Sequence, residues 1–380
     1  MLDHSISATI LQIHEGLRDR FEHLCRIAVA IYDQPSDTLK TFAHSTHGEA
    51  PLTFYEVKLS DVPSLQQLAE SGQPRVLDDL SVLQGSPSEH SHKVMNAGYH
   101  SSYTEPLLVD GQLIGFLFFD ASLPGYFDKP TVEQLQSYGK ILAAIIAIQF
   151  ANVRTLGGAV AMAREFTRYR DEETANHLRR MSRYARLIAQ TIAPRFNLDD
   201  EDVEFIYRFA PLHDIGKIAS ADAILLKPGK LTADEYTAAK LHVVRGAEMA
   251  QLTVDEFGLD NVRHIDMLRN IILCHHEHYD GQGYPAGLAG KDIPIEGRVV
   301  AVADVFDALT SERPYKRAWS CDDAFAYLFK HAGSHFDPIC IEAALACADQ
   351  FTQIQTNYRD AAFLDPEASD EPAPSHTAAS

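Results

Sequence analysis

The chain has 380 residues, 46% of them hydrophobic and 23% charged, with a formal net charge of -20 at pH 7. That length provides for about two domains with a core each. The acidic balance excludes general binding to DNA or to anionic membrane surfaces, which require a basic face. A phosphate-bearing substrate would have to be attracted locally, by metal ions and a few basic side chains.

The first residues, Met1-Leu2-Asp3-His4-Ser5, carry neither the basic stretch nor the apolar core of a signal peptide. Cys25, Cys274, Cys321, Cys340 and Cys347 are scattered with no Cys-x-x-Cys pair, and read as reduced thiols. The strongest apolar run, Ile141 to Ile148, is too short to cross a bilayer. The expectation is a cytoplasmic protein.

Residues 1–127 read as an α/β domain, an antiparallel sheet with flanking helices. A helix is expected over Ile10 to Phe21. Arg26 to Tyr32 and Leu39 to Ala43 read as strands around a Gln34-Pro35-Ser36-Asp37 turn. Glu105 to Val109 and Gln112 to Phe119 flank Asp110-Gly111, a dipeptide that favours a tight primed turn. This arrangement resembles a GAF-type sensory domain, although PAS-like folds show similar strands and turns. Tyr55, His92, His100 and Tyr103 read as surface and core residues rather than a ligand pocket. Whether the domain binds a small molecule or serves only to dimerise stays open.

Residues 128–170 form a connecting helix. Asp128 and Pro130 mark its start, and Leu135, Tyr138, Leu142 and Ile145 repeat at three and four. Such a seam fits either a helix that pairs with its twin in a homodimer or one packed on its own domain; Gly157-Gly158 weakens a single rigid rod. Residues 171–355 read as an all-α domain. There Leu178, Met181, Ala185, Ile188 and Ile192 form an inward stripe, and Glu173 and His177 sit four apart at its edge. Residues 356–380 are an acidic, Pro/Ser-rich tail with the composition of a flexible segment.

The second half holds several costly residues together. His213 and Asp214 stand in Leu212-His213-Asp214-Ile215-Gly216-Lys217, His275 and His276 are adjacent, and Asp304 interrupts the apolar run Val299 to Phe306. A carboxylate in such a run is unfavourable unless paired or bound to a cation. Imidazoles and carboxylates together suit Fe or Mn in hydrolytic sites.

These residues, with His275-His276-Glu277, Asp280-Gly281-Gln282-Gly283-Tyr284-Pro285 and Arg313-Pro314-Tyr315-Lys316, resemble the HD-GYP family of cyclic dinucleotide phosphodiesterases over roughly residues 160–350. The resemblance implies as metal ligands Glu173, His177, His213, Asp214, His242, His275, His276 and Asp304, with Asp214 bridging and Glu173 linked to a third metal position. It implies two or three divalent ions, with Fe or Mn expected. Five imidazoles disfavour Mg, and Zn stays open.

The expected chemistry is two-metal hydrolysis. Asp214 and Lys217 are the catalytic pair, Lys217 lying four residues along a helix from His213 and stabilising phosphoryl charge. Arg313 and Lys316 would grip substrate phosphates. Gly283, Tyr284 and Pro285 would meet the substrate from a loop whose glycine allows close approach. Glu277 and Asp307 are candidates for groups that orient histidines or waters, while His264, His278, His331 and His335 read as surface or structural residues.

The substrate the resemblance implies is cyclic di-GMP, cut to pGpG with onward cleavage to GMP left open. Cyclic GMP-AMP is the enzymatic alternative. The alternative of another class is a catalytically silent receptor that docks diguanylate cyclase domains.

Overall fold

The computed structural model of the chain describes residues 5–47, 52–83, 98–167, 175–257, 264–312 and 317–359. Helix α1 (Ile6–Leu17) starts four residues before the predicted helix and stops four residues short of its end. The cap decides this: the Ser5 hydroxyl accepts the Ala8 N–H at 2.8 Å and satisfies an orphan donor of the first turn. Ile6, Ile10 and Leu17 are then one buried face.

Strands β1 (Leu24–Asp33), β2 (Thr38–Thr46) and β3 (Glu56–Lys58) precede helix α2 (Pro63–Ser71), and β4 (Arg75–Leu77), β5 (Ser101–Val109) and β6 (Gln112–Ala121) complete a sheet of order β3-β2-β1-β6-β5-β4. Its pairs are antiparallel. The β5–β6 connection is the expected Asp110-Gly111 turn, with φ of 50° and 77°, the left-handed conformations of a primed hairpin. One sheet face, with Ile27, Val29 and Phe119, packs on α1 and on α3 (Lys129–Thr167). The other, with Ala30, Leu39 and Phe116, packs on Leu65 and Leu68 of α2.

Helix α3 begins where the Asp128 carboxylate accepts the Thr131 N–H at 2.9 Å. It runs 39 residues, about 58 Å at 1.5 Å per residue. It continues through Gly157-Gly158 although each glycine costs a helix about 1 kcal/mol. Leu135, Leu142 and Ile146 are its buried contacts, while Tyr138 and Ile145 of the predicted seam are half-buried.

The second domain is helical as expected: α4 (Ala175–Phe196), α5 (Asp200–Phe209), α6 (Asp222–Leu225), α7 (Ala233–Lys240), α8 (His242–Phe257), α9 (Ile265–Cys274), α10 (Ile295–Thr310), α11 (Cys321–Lys330), α12 (Pro338–Ala346) and α13 (Ala348–Asn357). The longest departure among the described residues is the stretch 275–294, which holds a short 3-10 turn, Gly290–Asp292, and an isolated β-bridge between Asp280 and Ala289. At its centre α10 presents Val299, Val300, Val302, Ala303 and Phe306, all fully buried. Tyr184 of α4 stacks on Phe351 at 4.5 Å beside Phe306. Met181, Ala185, Ile188 and Ile192 of the predicted α4 stripe are buried, whereas Leu178 is half-buried.

The two domains share one core, because Phe42 of β2 packs on Phe150 of α3 and Phe205 of α5. Polar contacts rim this junction. Asp200 accepts from the Thr41 hydroxyl at 2.6 Å and the Phe54 N–H at 2.7 Å, and Glu201 accepts the Ser7 N–H at 2.9 Å at the start of α1. Arg186 pairs with Glu56 at 2.7 Å, and the buried Lys40 lies 3.8 Å from Glu204. No helix among the described residues is long and apolar enough to cross a membrane.

Candidate metal centre

The chain after α5 passes through a 3-10 turn (Ala210–Leu212) into His213 and Asp214 and then a second 3-10 turn, Ile215–Ala219. Lys217 therefore lies on a 3-10 turn rather than the expected α-helix. The tight path follows from contact with α8, since a Cβ on Gly216 would collide with the His242 carbonyl. This contact seats His242, the first residue of α8, beside Asp214. The C-terminal end of α9 supplies His275 and His276, α4 supplies His177, and α10 supplies Asp304.

Two groups of ligand atoms result, each with its members within 4.8 Å of one another: Asp214, His242, His275 and His276, and next to them His177, His213 and Asp304. His213 Nε2 is 3.1 Å from one Asp214 oxygen and 3.8 Å from Asp304, which places it between the groups. The other Asp214 oxygen lies 3.0 Å from His242 Nε2 and 3.6 Å from His275 Nε2. Seven of the eight sequence-derived ligands are thus brought together. Glu173, like Arg313 and Lys316, lies outside the described residues.

Backbone and carboxylate oxygens fix the tautomers. Nδ1 of His213 faces the Ala210 carbonyl at 3.0 Å, Nδ1 of His242 the Ala239 carbonyl at 2.8 Å, and Nδ1 of His275 the Ile272 carbonyl at 3.0 Å. Carbonyl oxygens only accept, so each Nδ1 carries a hydrogen, and the neutral form of each ring turns a bare Nε2 lone pair inward. His177 does the same through Asp307, whose Oδ2 is 2.7 Å from its Nδ1. Asp307, fully buried, also takes the Arg180 guanidinium at 2.6 and 2.9 Å. The buried Nε2 atoms of His242 and His275, and Oδ1 of Asp214, make no hydrogen bond of good geometry. Lone pairs converging on a carboxylate, away from water, fit a divalent cation and little else.

The electrostatics agree. Burial, the largest influence on Asp214, would raise its pKa, but the positive surroundings led by the Lys217 ammonium outweigh it and hold the group well below the usual carboxylate range. Burial pushes the pKa of His275 down, and that of His276 well down with His275 adding to the effect. These two rings are therefore neutral, as ligation requires. Lys217 Nζ stands 2.7 Å from Asp214 Oδ2.

The loop over the centre is held by its own backbone. Glu277, buried, accepts the N–H groups of Ala286, Gly287 and Leu288 at 2.8, 3.1 and 3.0 Å. It anchors the loop, and Asp307 alone of the two candidates orients a histidine. The close approach that requires Gly283 is to Glu277 and His278 of the same chain, where a Cβ would clash with backbone. Tyr284 stacks on His276 with centroids 4.8 Å apart, and the Tyr284–Pro285 peptide is cis. Lys240, which no spacing in the sequence marks as part of the site, extends its ammonium over the rings of both Tyr236 and Tyr284.

Away from this centre, the first domain encloses a cavity of about 60 Å³ between β1, β2, β5, β6 and α2. Of the four first-domain residues considered from sequence, Tyr55 lines it. Tyr103 is core, His100 is exposed, and His92 lies outside the described residues.

Fold and site together define a GAF domain joined to an HD domain. Family models bear this out: a GAF domain model matches residues 18–146 and an HD domain model residues 171–339. A probable cyclic di-GMP phosphodiesterase of Vibrio cholerae serotype O1 is 31% identical over 370 residues, covering 89% of this chain and 82% of that protein. The chain belongs to the HD-GYP-type cyclic di-GMP phosphodiesterase family. The cyclic di-GMP phosphodiesterase response regulator RpfG of Xanthomonas campestris pv. campestris is 49% identical over 186 residues, 49% of this chain and 46% of that protein. A 3'3'-cGAMP-specific phosphodiesterase 2 of Vibrio cholerae is 37% identical over 191 residues, 50% of this chain and 34% of that protein. The chain thus spans about half the length, or less, of these last two relatives.

Proposed function

We propose that this chain is a metal-dependent phosphodiesterase that hydrolyses cyclic di-GMP to pGpG, with GMP as the product of a second cut. The observation that carries the proposal is the convergence of inward Nε2 atoms on Asp214 beneath the Tyr284 loop. His177, His213, Asp214, His242, His275, His276 and Asp304 would hold two divalent ions, Fe or Mn, and Glu173 would serve a third. When bound, the ions would supply Lewis-acid charge to a phosphodiester and lower the pKa of water.

The remaining work falls to the chain. Asp307 and the carbonyls behind the rings hold the ligand tautomers. Lys217 brings an ammonium to the Asp214 edge, where phosphoryl charge would develop. Arg313 and Lys316 would bind substrate phosphates, and Gly283, Tyr284 and Pro285 would wall the substrate. Hydrolysis adds water across the phosphorus–3' oxygen bond, and the leaving oxygen takes the proton.

A second reading, hydrolysis of 3',3'-cyclic GMP-AMP, is favoured by the resemblance to the cGAMP-specific relative. The intact ligand set weighs against a silent receptor. Anaerobic purification, metal analysis and incubation with each dinucleotide, followed by chromatography, tests these readings. Turnover names the substrate. Metal-loaded protein that binds without cleaving would overturn the enzyme reading in favour of the receptor that docks cyclases.

We also propose a homodimer through α3. Ser137, Ile141, Ala144, Ile148 and Ala151 are exposed at alternating spacings of four and three, the pattern of a coiled-coil seam, with Ile141 54% and Ile148 61% exposed. Regulation by the first domain would pass through the junction: Thr41 and Tyr55 wall the cavity, Thr41 bonds Asp200, and α5 leads directly into His213 and Asp214. Such a protein would work in the cytoplasm.

A further inference from the structure

Lys240 closes α7 two residues before His242. Its ammonium lies 4.6 Å from the ring centroid of Tyr236 and 5.0 Å from that of Tyr284. Tyr284 in turn stacks on the ligand-group residue His276 and stands edge-on to His242 at 6.4 Å. The lysine is therefore at the mouth of the metal centre, on the side of α7. It is also held differently from its neighbours. Lys217 pairs with Asp214 at 2.7 Å and Lys227 with Glu235 at 2.5 Å. Among the described residues Lys240 makes no ion pair. Two aromatic faces and the carbonyl end of α7 fix its position without neutralising its charge.

The substrate class makes that charge useful. A cyclic dinucleotide carries two phosphodiesters at opposite sides of one ring and two flat bases. When one phosphodiester sits at the metal centre, the second is held at a fixed distance and needs its own cation. We propose that Lys240, steadied by Tyr236 and Tyr284, contributes a cation to the subsite for the phosphodiester that is not being cut, in addition to the phosphate contacts proposed above for Arg313 and Lys316. The ring of Tyr236, 52% exposed, offers the neighbouring base a face to stack on. This inference rests on the cyclic dinucleotide reading above.

The test compares two substrates: cyclic di-GMP, and bis(4-nitrophenyl) phosphate, which has a single phosphodiester. Wild type, Lys240→Ala, Lys240→Arg and Tyr236→Leu are assayed at equal metal content. In Lys240→Ala the KM for cyclic di-GMP is expected to rise on the order of tenfold, the loss of one charge-assisted contact. The ratio of kcat/KM for cyclic di-GMP to that for bis(4-nitrophenyl) phosphate falls with it. Lys240→Arg restores most of the ratio, and Tyr236→Leu lowers it less than Lys240→Ala does. An equal fall for both substrates would make Lys240 part of the metal centre or of the fold, and an unchanged ratio would also overturn the proposal. If wild type cleaves bis(4-nitrophenyl) phosphate but no cyclic dinucleotide, the function proposed above fails. Calorimetric binding of cyclic di-GMP then decides the subsite separately: weaker binding by Lys240→Ala supports it, and unchanged or absent binding overturns it.

Discussion

Replacing Glu277 by glutamine probes what holds the loop over the metal centre. In the folded chain Oε1 accepts from the Ala286 and Gly287 N–H groups and Oε2 from that of Leu288. Glutamine keeps one acceptor oxygen, enough for the first two, but turns an amide NH2 towards the Leu288 N–H. One charge-assisted bond is lost and one donor stranded, a cost of about 2 kcal/mol. Alanine removes all three bonds at a residue only 2% exposed, and about 4 kcal/mol follows if water reaches part of the freed backbone. The stretch 275–294 has almost no regular structure, so the loss appears first as local opening. Amide exchange at Ala286, Gly287 and Leu288 is expected to speed up roughly 30-fold in Glu277→Gln and more in Glu277→Ala. Exchange over α4 and α10 changes far less. Protection at the three amides unchanged in Glu277→Ala would refute the anchoring argument.

Asp214→Ala removes the carboxylate shared by the Nε2 atoms and is expected to lower metal per chain and reduce turnover at least 1,000-fold, on the order of removing a core catalytic element; plasma emission and product chromatography check both. Asp307→Asn retains the shape but weakens the grip on His177 Nδ1 and Arg180, with metal affinity expected to fall about 10- to 100-fold in competition with a chelator. Gly216→Ala drives a Cβ into the His242 carbonyl, so thermal denaturation should register a loss of about 3 kcal/mol or more, even with metal absent.

The pKa of His335, pushed down to about 4 by burial and by the nearby His278 and His331, gives a pH prediction. Unfolded, the ring takes its proton near 6.5, so the unfolded state binds more protons between the two values. This contribution to stability is fully present above about 6.5 and is lost as pH falls towards about 4. Urea titrations of His335→Gln should show a shallower decline than wild type across that window, and an identical decline would refute the assignment.

The ligand types and the hairpin were legible because they depend on local chemistry. Asp-Gly imposes its own dihedrals, and a carboxylate such as Asp304 amid valines and alanines is conspicuous in one dimension. The bounds of α1 were not, since periodicity marks the buried face while a Ser5 hydroxyl decides where the helix begins. Nor was the role of Glu277: its partners lie nine to eleven residues ahead on a loop whose path is fixed only when Gly283 packs on Glu277 and His278.

Local chemistry along the chain was enough to mark residue types suited to metal, the order of a mixed domain, a long helix and a helical domain, and the acidity that leaves phosphate attraction to a local site. Which nitrogen of each ring turns inward came from packing, because it depends on the carbonyl or carboxylate behind the ring. Packing likewise sets Lys240 over two rings with no ion pair among the described residues, and docks β2 on α5, the helix that leads into His213 and Asp214. These are through-space encounters between segments far apart in the chain, set by how two cores merge at Phe42 and Phe205 rather than by any local pattern.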